Sequence, residues 1–505
     1  MDLIAPLLGG FVSLFTSPMV LGALVAAVTA GLVIGALPGL TATMGMALFL
    51  PFTFLMPPEV GLSAMVGIFA GGIAGGAIPA ILLNVPGTPA SAATALEGYP
   101  MSRAGHGREA LNIAMLAGAV GGMVSGLLMA VLAPTIARVA LNFQAPEFFV
   151  LAVYGLTIIS AVSGKSLIKG YAAGLLGLVL GVIGLDPVSG QLRLTMGSDE
   201  LYGGISLIPV LIGVFGVTQV LVMIADRGGT QRLPEIRGPR WISRQNLRDT
   251  APTMARGSVI GSIVGAIPGT GTDIGAFLAY SDAKRRNRGR VPFGKGNPTG
   301  VAGPESANNG VVGGAMIPTF TLGIPGEAGT AVLLGGLLVH GLTPGPDLFT
   351  GPQSGIVYTI FASFILSALL VLVVGTTAVR AFSHVVRIPP HVLIPIIALL
   401  CLMGAYAIDN RFTDVLVAVV FGVLGYLMVR NDFPVSPLIL GLILGPMAEV
   451  NFRRAMTITH GDWTVFFTRP ASLLFWALIV LTLFWVWRSG RKERRQTEAV
   501  AAQHD

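Results

Sequence analysis

The sequence predicts an all-α polytopic membrane protein made of two inverted-topology repeats, with re-entrant or broken helices and about 10–12 transmembrane segments of roughly 20 residues each. Three observations predict it. The 505 residues are 53% hydrophobic and 11% charged, with a mean hydropathy of +0.78. A soluble domain carries about 25% charged residues, so most of this surface meets lipid. The chain also holds 68 Gly and 33 Pro, residues more frequent in membrane helices than in soluble ones. Finally, two Pro-Gly motifs recur about half a chain length apart. One is Gly31-Leu-Val-Ile-Gly35-Ala-Leu-Pro38-Gly39, matched by Gly261-Ser-Ile-Val-Gly265-Ala-Ile-Pro268-Gly269. The other is Pro79-Ala-Ile-Leu-Leu-Asn84-Val-Pro86-Gly87, matched by Pro318-Thr-Phe-Thr-Leu-Gly323-Ile-Pro325-Gly326. Interrupted hydrophobic segments at corresponding places in two halves mark the binding site of a secondary transporter.

The elements follow in order. Residues 1–16 lack a positive leader and a small-residue cleavage site, and are expected to form an uncleaved interfacial or membrane segment. Residues 17–225 are the first transmembrane repeat, with spans after the motifs near 110–134, 147–163, 170–185 and 204–224. The most polar stretch, 226–256, carries Arg227, Arg232, Arg237, Arg240, Arg244, Arg248 and Arg256, and is expected to be a basic cytoplasmic linker. Residues 257–469 are the second repeat, with spans near 356–379, 391–408, 413–429 and 435–452. Residues 470–488 are the final transmembrane helix and 489–505 a cytoplasmic tail.

Charge predicts opposite insertion of the halves. The basic run Lys284 to Arg290 and the tail Arg488 to Arg495 belong on the linker's side. Gly257 to Asp282, about 26 residues, is too short for two full spans. A re-entrant hairpin with its tip at Pro268 to Asp273 fits, provided protein satisfies its amides. The basic loop 283–297 corresponds to 51–60, which has only Glu59; the loop 98–109, with Arg103 and Arg108, corresponds to 340–352, which has only Asp347. Charge moves to the opposite member of each pair. Lys165, Lys169, Arg380 and Arg387 fall inside by this alternation, while Arg453 and Arg454 fall outside, against the rule.

The candidate chemistry sits at the breaks. In Asn84-Val-Pro86-Gly87-Thr88-Pro89-Ala90-Ser91 the proline removes an amide donor and the glycine allows unusual dihedrals. The helix that follows exposes free amides at a positively polarised end, with Thr88 and Ser91 as hydroxyl donors, which suits a carboxylate. Its counterpart, Ile324-Pro325-Gly326-Glu327-Ala328-Gly329-Thr330, has an acid in place of Thr88; Glu327 is a helix cap, a cation ligand or a proton carrier. The other pair offers Thr41 and Thr43 against Thr270, Thr272 and Asp273. Unwound carbonyls, hydroxyls and one carboxylate suit a hard cation such as Na+. The cluster Gly303-Pro-Glu305-Ser-Ala-Asn308-Asn309 precedes an apolar run; Asn308 and Asn309 are either ligands or part of a capped surface loop. A structural kink with a capping hydroxyl is the plain alternative for each motif. The Gly67, Gly71, Gly75 series reads as close helix packing.

Other classes are excluded or unsupported. The single Cys401 rules out an internal disulfide and zinc-cysteine sites. The net charge of +7 sits in loops and tail, so it reads as topology and not as nucleic-acid binding. Ser163-Gly164-Lys165-Ser166 superficially resembles a phosphate loop, but Ile159 stands where the first glycine is required. No nucleophile–base spacing stands out, so the chain is not read as an enzyme, and no organic cofactor is called for.

The stretch Asn84-Val-Pro-Gly-Thr-Pro-Ala-Ser-Ala-Ala-Thr94, continued by Glu97-Gly98-Tyr99-Pro100, resembles the large membrane subunit of the bacterial tripartite tricarboxylate transporters (TctA-type). Gly31 to Gly39, Gly265 to Thr272, Gly303 to Asn309 and Gly323 to Gly326 fit the same pattern, and the resemblance covers about residues 17 to 485. The family's Asp-Gly-Tyr-Pro is here Glu97-Gly-Tyr-Pro, with the acid kept. The resemblance implies a multi-pass subunit of the bacterial inner membrane, working with a small membrane subunit and a periplasmic solute-binding protein. It implies import of carboxylates driven by an ion gradient, Na+ or H+. An anion channel using the broken helices as a filter is the competing reading. A membrane scaffold would have no use for the duplicated breaks.

Overall fold

The structure, a computed structural model, describes residues 4–162, 166–186, 189–225, 238–239, 241–287, 291–378, 382, 385 and 388–484. Most of the predicted linker's first half (226–237 and 240), Lys165, Arg288, Arg290, Arg380, Arg387 and the predicted tail lie outside the described residues.

In lipid every backbone amide must find its partner within the protein. The described chain meets this as helix almost throughout; its strands are the two-residue pair Gly184–Leu185 and Leu192–Arg193. Among the described residues, 7 helices are long and apolar enough to cross a membrane. The prediction of an all-α polytopic membrane protein therefore holds.

Helix α1 spans Ile4–Thr16 and α2 Pro18–Ala36, the latter capped by Ser17, whose Oγ accepts the Val20 N–H at 3.4 Å. Pro18 stands in the first turn, where its missing N–H is no loss. Pro38-Gly39 ends α2, with Gly39 at φ +86. α3 (Ala42–Thr53) restarts from Thr41, which accepts the Met44 N–H at 3.2 Å. α4 (Pro58–Gly75) bends at Gly76 into α5 (Ala77–Leu83), and α6 (Ser91–Met101) follows the second break. A wide turn over 102–106, with Gly105 at φ 88, leads into α7 (Gly107–Ala140). Then come α8 (Ala145–Val162), α9 (Leu167–Gly181), α10 (Leu207–Leu211) and α11 (Thr218–Ala225).

The second series begins with α12 (Arg244–Ala266), capped by Ser243 on the Asn246 N–H at 3.1 Å. The helix thus takes in residues 244–256 of the stretch read as linker. A break at 267–270 precedes α13 (Gly271–Arg285); α14 (Thr299–Leu322) and α15 (Ala328–Val339) follow. The chain closes with α16 (Asp347–Thr350), α17 (Ser354–Thr377), α18 (Pro390–Asp409), α19 (Phe412–Arg430), α20 (Ser436–Ile458), α21 (Val465–Thr468) and α22 (Pro470–Phe484). One alternative is overturned here. Asn308 and Asn309 do not lie on a capped surface loop: they are buried in the middle of α14. Gly-Pro and Asn-Asn are turn signals in water, but inside a bilayer the helix is what satisfies the backbone.

Two compact units arise, residues 1–141 with 206–427, and residues 142–205 with 428–505. In the first, small residues let helices meet backbone to backbone. A Cβ on Gly35 would overlap the Gly72 carbonyl across α2 and α4, and one on Gly265 the Val311 carbonyl across α12 and α14. Gly71 and Gly75 face the carbonyls of Val28 and Leu32 in the same way, as the glycine series predicts. α13 folds back on α12, bringing Gly275 against Gly261 and Val264, and α3 returns on α2 through Gly45 and Ile34. The helices after the second breaks then cross over. α6 packs on α13 and α14, with Ala90 and Ala93 against Ala276; α15 packs on α3 and α4, with Gly329 against Met46 and Phe69.

In the second unit α9 and α20 meet at Gly177 and Gly441. Arg453 there pairs with Asp186 at 2.9 Å and Glu449 at 2.8 Å, and Arg193 pairs with Glu449 at 2.6 Å. The Glu449 carboxylate raises the Arg193 pKa further above its ordinary value, chiefly through that hydrogen bond.

Candidate functional site

All the residues singled out from the sequence lie in the first unit. At the end of α5, Asn84 adopts left-handed dihedrals (φ 57, ψ 29), and the N–H groups of Asn84 and Val85 both turn back to the Pro79 carbonyl. At the end of α14, Gly323 does the same (φ 68, ψ 20), and the N–H groups of Gly323 and Ile324 return to Pro318. The duplicated motifs thus produce duplicated geometry: each helix is stopped by one left-handed residue and a Pro-Gly, and a new helix starts seven residues on in the first break and five in the second.

The first break is pressed into the protein. Gly87 donates its N–H to the Gly76 carbonyl at 3.3 Å, and a Cβ on Gly87 would lie 2.7 Å from the Gly35 oxygen and 2.8 Å from Gly76 Cα. Beyond it the hydroxyls of Thr88 and Ser91, both buried, bond each other at 2.8 Å over the start of α6. Asn84 is exposed at the mouth of this turn. The N–H groups of Ser91, Ala92 and Ala93 at the head of α6 donate to the carbonyls of Thr88, Pro89 and Ala90, and no acidic residue stands in its first turn. Such an end attracts an anion.

The second break carries acids where the first has hydroxyls. Gly326 is buried and its carbonyl accepts the Gly269 N–H at 2.7 Å, which ties the two breaks of this half together. Glu327 is the N-cap of α15; its N–H bonds the Thr330 hydroxyl at 3.0 Å, and Thr330 is fully buried. Glu327 Oε1 is buried with no hydrogen-bond partner, and the carboxylate lies within electrostatic reach of Asp273. Asp273 is exposed in the first turn of α13, the position matched by Thr43 in α3. Thr272 is buried beside it, and Thr270 Oγ1 turns back on the carbonyls of Val264 and Ile267, at 2.9 Å for the latter. Among the described residues no Lys, Arg or His forms an ion pair with Asp273 or Glu327.

The packing of α6 on α13 brings the first break toward Asp273: Ala276, one turn beyond Asp273, clusters with Ala90 at the start of α6. Thr41 and Thr43 are half-buried at the head of α3. Asn309 donates to the Glu305 carbonyl at 3.0 Å and abuts the position of Gly118; it and Asn308 stand mid-helix, away from both Pro-Gly turns.

Three further residues carry weight that the sequence reading did not assign. Gln219 of α11 approaches Gly39 at the first break. Glu97, fully buried, accepts the N–H groups of Gly294, Gly296 and Asn297 and the Tyr280 hydroxyl. Glu305 accepts the Thr94 hydroxyl across α6 and α14. The available signal for the two acids was their lone carboxylates inside apolar segments.

Comparison with known proteins agrees with this architecture. The pattern of the tripartite tricarboxylate transporter TctA family matches residues 21–440. An uncharacterized 52.8 kDa protein of the TAR-I ttuC' 3' region of Agrobacterium vitis is 38% identical over 480 residues, 94% of each chain. An uncharacterized protein of the TAR-II ttuC' 3' region of the same organism is 39% identical over 225 residues, 44% of this chain and 93% of its own. No solved structure matches. The protein belongs to the tripartite tricarboxylate transporter TctA family, a family of transporters and not of enzymes.

Proposed function

We propose that this chain is the permease subunit of a binding-protein-dependent secondary transporter that imports di- or tricarboxylates across the bacterial inner membrane. It works with a small membrane subunit and a periplasmic solute-binding protein, driven by a Na+ or H+ gradient, and its two repeats insert with opposite orientation. One observation carries the reading: matched breaks with mismatched charge. The turn at Asn84 to Ser91 opens a positively polarised helix end with no acid on it, while the turn at Gly326 to Thr330 brings Glu327 to Asp273. An anion fits the first and a cation the second.

In this reading Asn84, Thr88, Ser91 and the amides after Gly87 hold the substrate carboxylate. Gly326, Glu327 and Thr330, with Asn308 and Asn309 of α14, contribute to the substrate site from the other half. Thr270, Thr272 and Asp273 shape the cation site, and Thr41 and Thr43 its counterpart. Electrostatics demands the coupling: bringing a dianion inward against 100 mV, inside negative, costs about 4.6 kcal/mol. Two monovalent cations cancel that, and a third makes the potential help.

Uptake of labelled carboxylates into proteoliposomes tests the proposal. The vesicles hold the chain and its small membrane subunit, with the binding protein outside, and an inward Na+ or H+ gradient is imposed in turn. Accumulation above equilibrium under either gradient supports it. Equilibration without accumulation refutes secondary transport and supports the channel.

A further inference from the structure

Glu305 is fully buried in α14, and the site reading above gives it no part. Its Oε1 accepts the hydroxyl of Thr94, while Oε2 is buried with no partner. Asn308, one turn on and also fully buried, turns its amide toward this carboxyl, yet neither its Nδ2 nor its Oδ1 makes a hydrogen bond within 3.5 Å. Three orphaned polar atoms therefore meet on one face of a helix inside the membrane domain. Each unsatisfied buried group costs about 1–3 kcal/mol, and an isolated buried carboxylate far more.

Among the described residues Asp273 of α13 and Glu327 of α15 carry no ion pair, α4 has Glu59 in its first turn, and α7 holds Arg108, Glu109 and Arg138 near its ends; Glu97 and Arg256 are engaged elsewhere. Of the helices packed on α14, α6 offers Glu97, bound to Tyr280 of α13 and to the loop amides; α12 offers Arg256, paired with Asp282 of α13 at 2.9 Å. Among the described residues no cationic side chain forms an ion pair with Glu305. The atoms that remain decide what could enter. A hard cation wants about six oxygens, and the side chains supply Glu305 Oε2, Asn308 Oδ1 and Thr94 Oγ1. A proton needs one acceptor. Placed on Oε2 it is donated to Oδ1, which satisfies two orphans and removes the charge.

We propose that Glu305 and Asn308 form a proton-carrying site, loaded and emptied during transport, whose state Thr94 passes along α6. Thr94 lies one turn from Ser91 in α6, and the Ser91 hydroxyl bonds that of Thr88 in the turn leading into the helix. Loss of the proton returns a charge to Oε2, strengthens its pull on the Thr94 hydroxyl and shifts the start of α6, where the anion is held. This second half of the inference rests on the anion site proposed above; the first half does not.

Infrared spectra of the lipid-reconstituted chain, titrated with pH, test the site without substrate. The wild type should show the carbonyl stretch of a buried protonated carboxyl group. That band should vanish in Glu305→Gln, move in Asn308→Ala, where the acceptor is lost, and stay in Glu327→Gln. A spectrum unchanged in both Glu305→Gln and Asn308→Ala overturns the site, as does a band displaced by Na+ at fixed pH. Asn308→Ala leaves Glu305 and its Thr94 contact in place, so it decides the matter if Glu305→Gln does not fold. In proteoliposomes the substrate KM should vary with pH in the wild type and lose that variation in Glu305→Gln; a retained variation overturns the link through Thr94. If the wild type transports no carboxylate, the anion site fails while the infrared band still decides the proton site.

Discussion

Asn84 is where the substrate reading is easiest to break, because its counterpart in the other half supplies the control. The residue sits at φ 57, ψ 29, and its counterpart Gly323 at φ 68, ψ 20. A glycine at position 84 therefore keeps the turn and removes only the side chain. Left-handed dihedrals cost an ordinary L-residue about 1–2 kcal/mol, so Asn84→Ala adds strain to the lost amide, whereas Asn84→Gly does not. If the amide bonds a substrate carboxylate, its loss removes an interaction worth about 1.5–3 kcal/mol. That is roughly a 10- to 150-fold rise in KM for Asn84→Gly, at an unchanged melting temperature. Asn84→Ala should show the same rise in KM with a lower melting temperature. The assay is concentration-dependent uptake in proteoliposomes, paired with thermal unfolding of the same preparations. Wild-type KM in Asn84→Gly would refute the assignment: Asn84 would then be present for its backbone, as Gly323 is.

The remaining predictions concern the packing and the acids. Gly87→Ala puts a methyl group 2.7 Å from the Gly35 oxygen and 2.8 Å from Gly76 Cα; overpacking of this kind costs about 1–3 kcal/mol, and should raise KM, while Gly22→Ala, with nothing within 4 Å, should transport as the wild type does. Asp273→Asn should lower the apparent affinity for Na+ measured by uptake at varied Na+; full sodium dependence in that variant removes Asp273 from the cation site. Glu97→Gln replaces an acceptor of three backbone N–H groups with a side chain that must point its NH₂ at one of them, so thermal unfolding should show a loss of about 1–3 kcal/mol. Arg453→Ala takes an ion-pair partner from Asp186, whose side chain is 5% exposed, and should lower the melting temperature through the second unit; an unchanged value would show the pair to be worth as little as a surface bridge.

Helix placement was legible because a bilayer leaves few options. The span expected at 356–379 is α17 at 354–377, and that at 413–429 is α19 at 412–430. The breaks were equally legible, since Pro and Gly act locally and their effect does not depend on distant partners. Long-range pairing was not. Thr94 and Glu305 are 211 positions apart, and no local pattern indicates that α6 packs on α13 and α14. The polar run Gly303 to Asn309 was open to misreading for a related reason. Its Gly-Pro and Asn-Asn weaken a helix in water, yet here they let α12 and α7 approach α14 closely, at Gly257 against Gly303 and at Gly118 against Asn309. Of the site, the residue types were readable, but the charge mismatch between the breaks acquires meaning only once Glu327 and Asp273 are seen to converge.

The crossing of α6 and α15 also bears on how the chain is made. When α6 leaves the translocation machinery, the partners of Glu97 do not yet exist: Tyr280, Gly294, Gly296 and Asn297 are all still to be synthesised. The acceptor of Thr94 is likewise absent until α14 is inserted. Until then Glu97 and Thr94 lack the partners they have in the fold. α6 settles only when the second repeat arrives, and α15, made later, docks on α3 and α4, made much earlier. Insertion of this protein is a closing reaction between its two ends of synthesis, and a chain cut between the two halves leaves Glu97 without the partners it has in the fold.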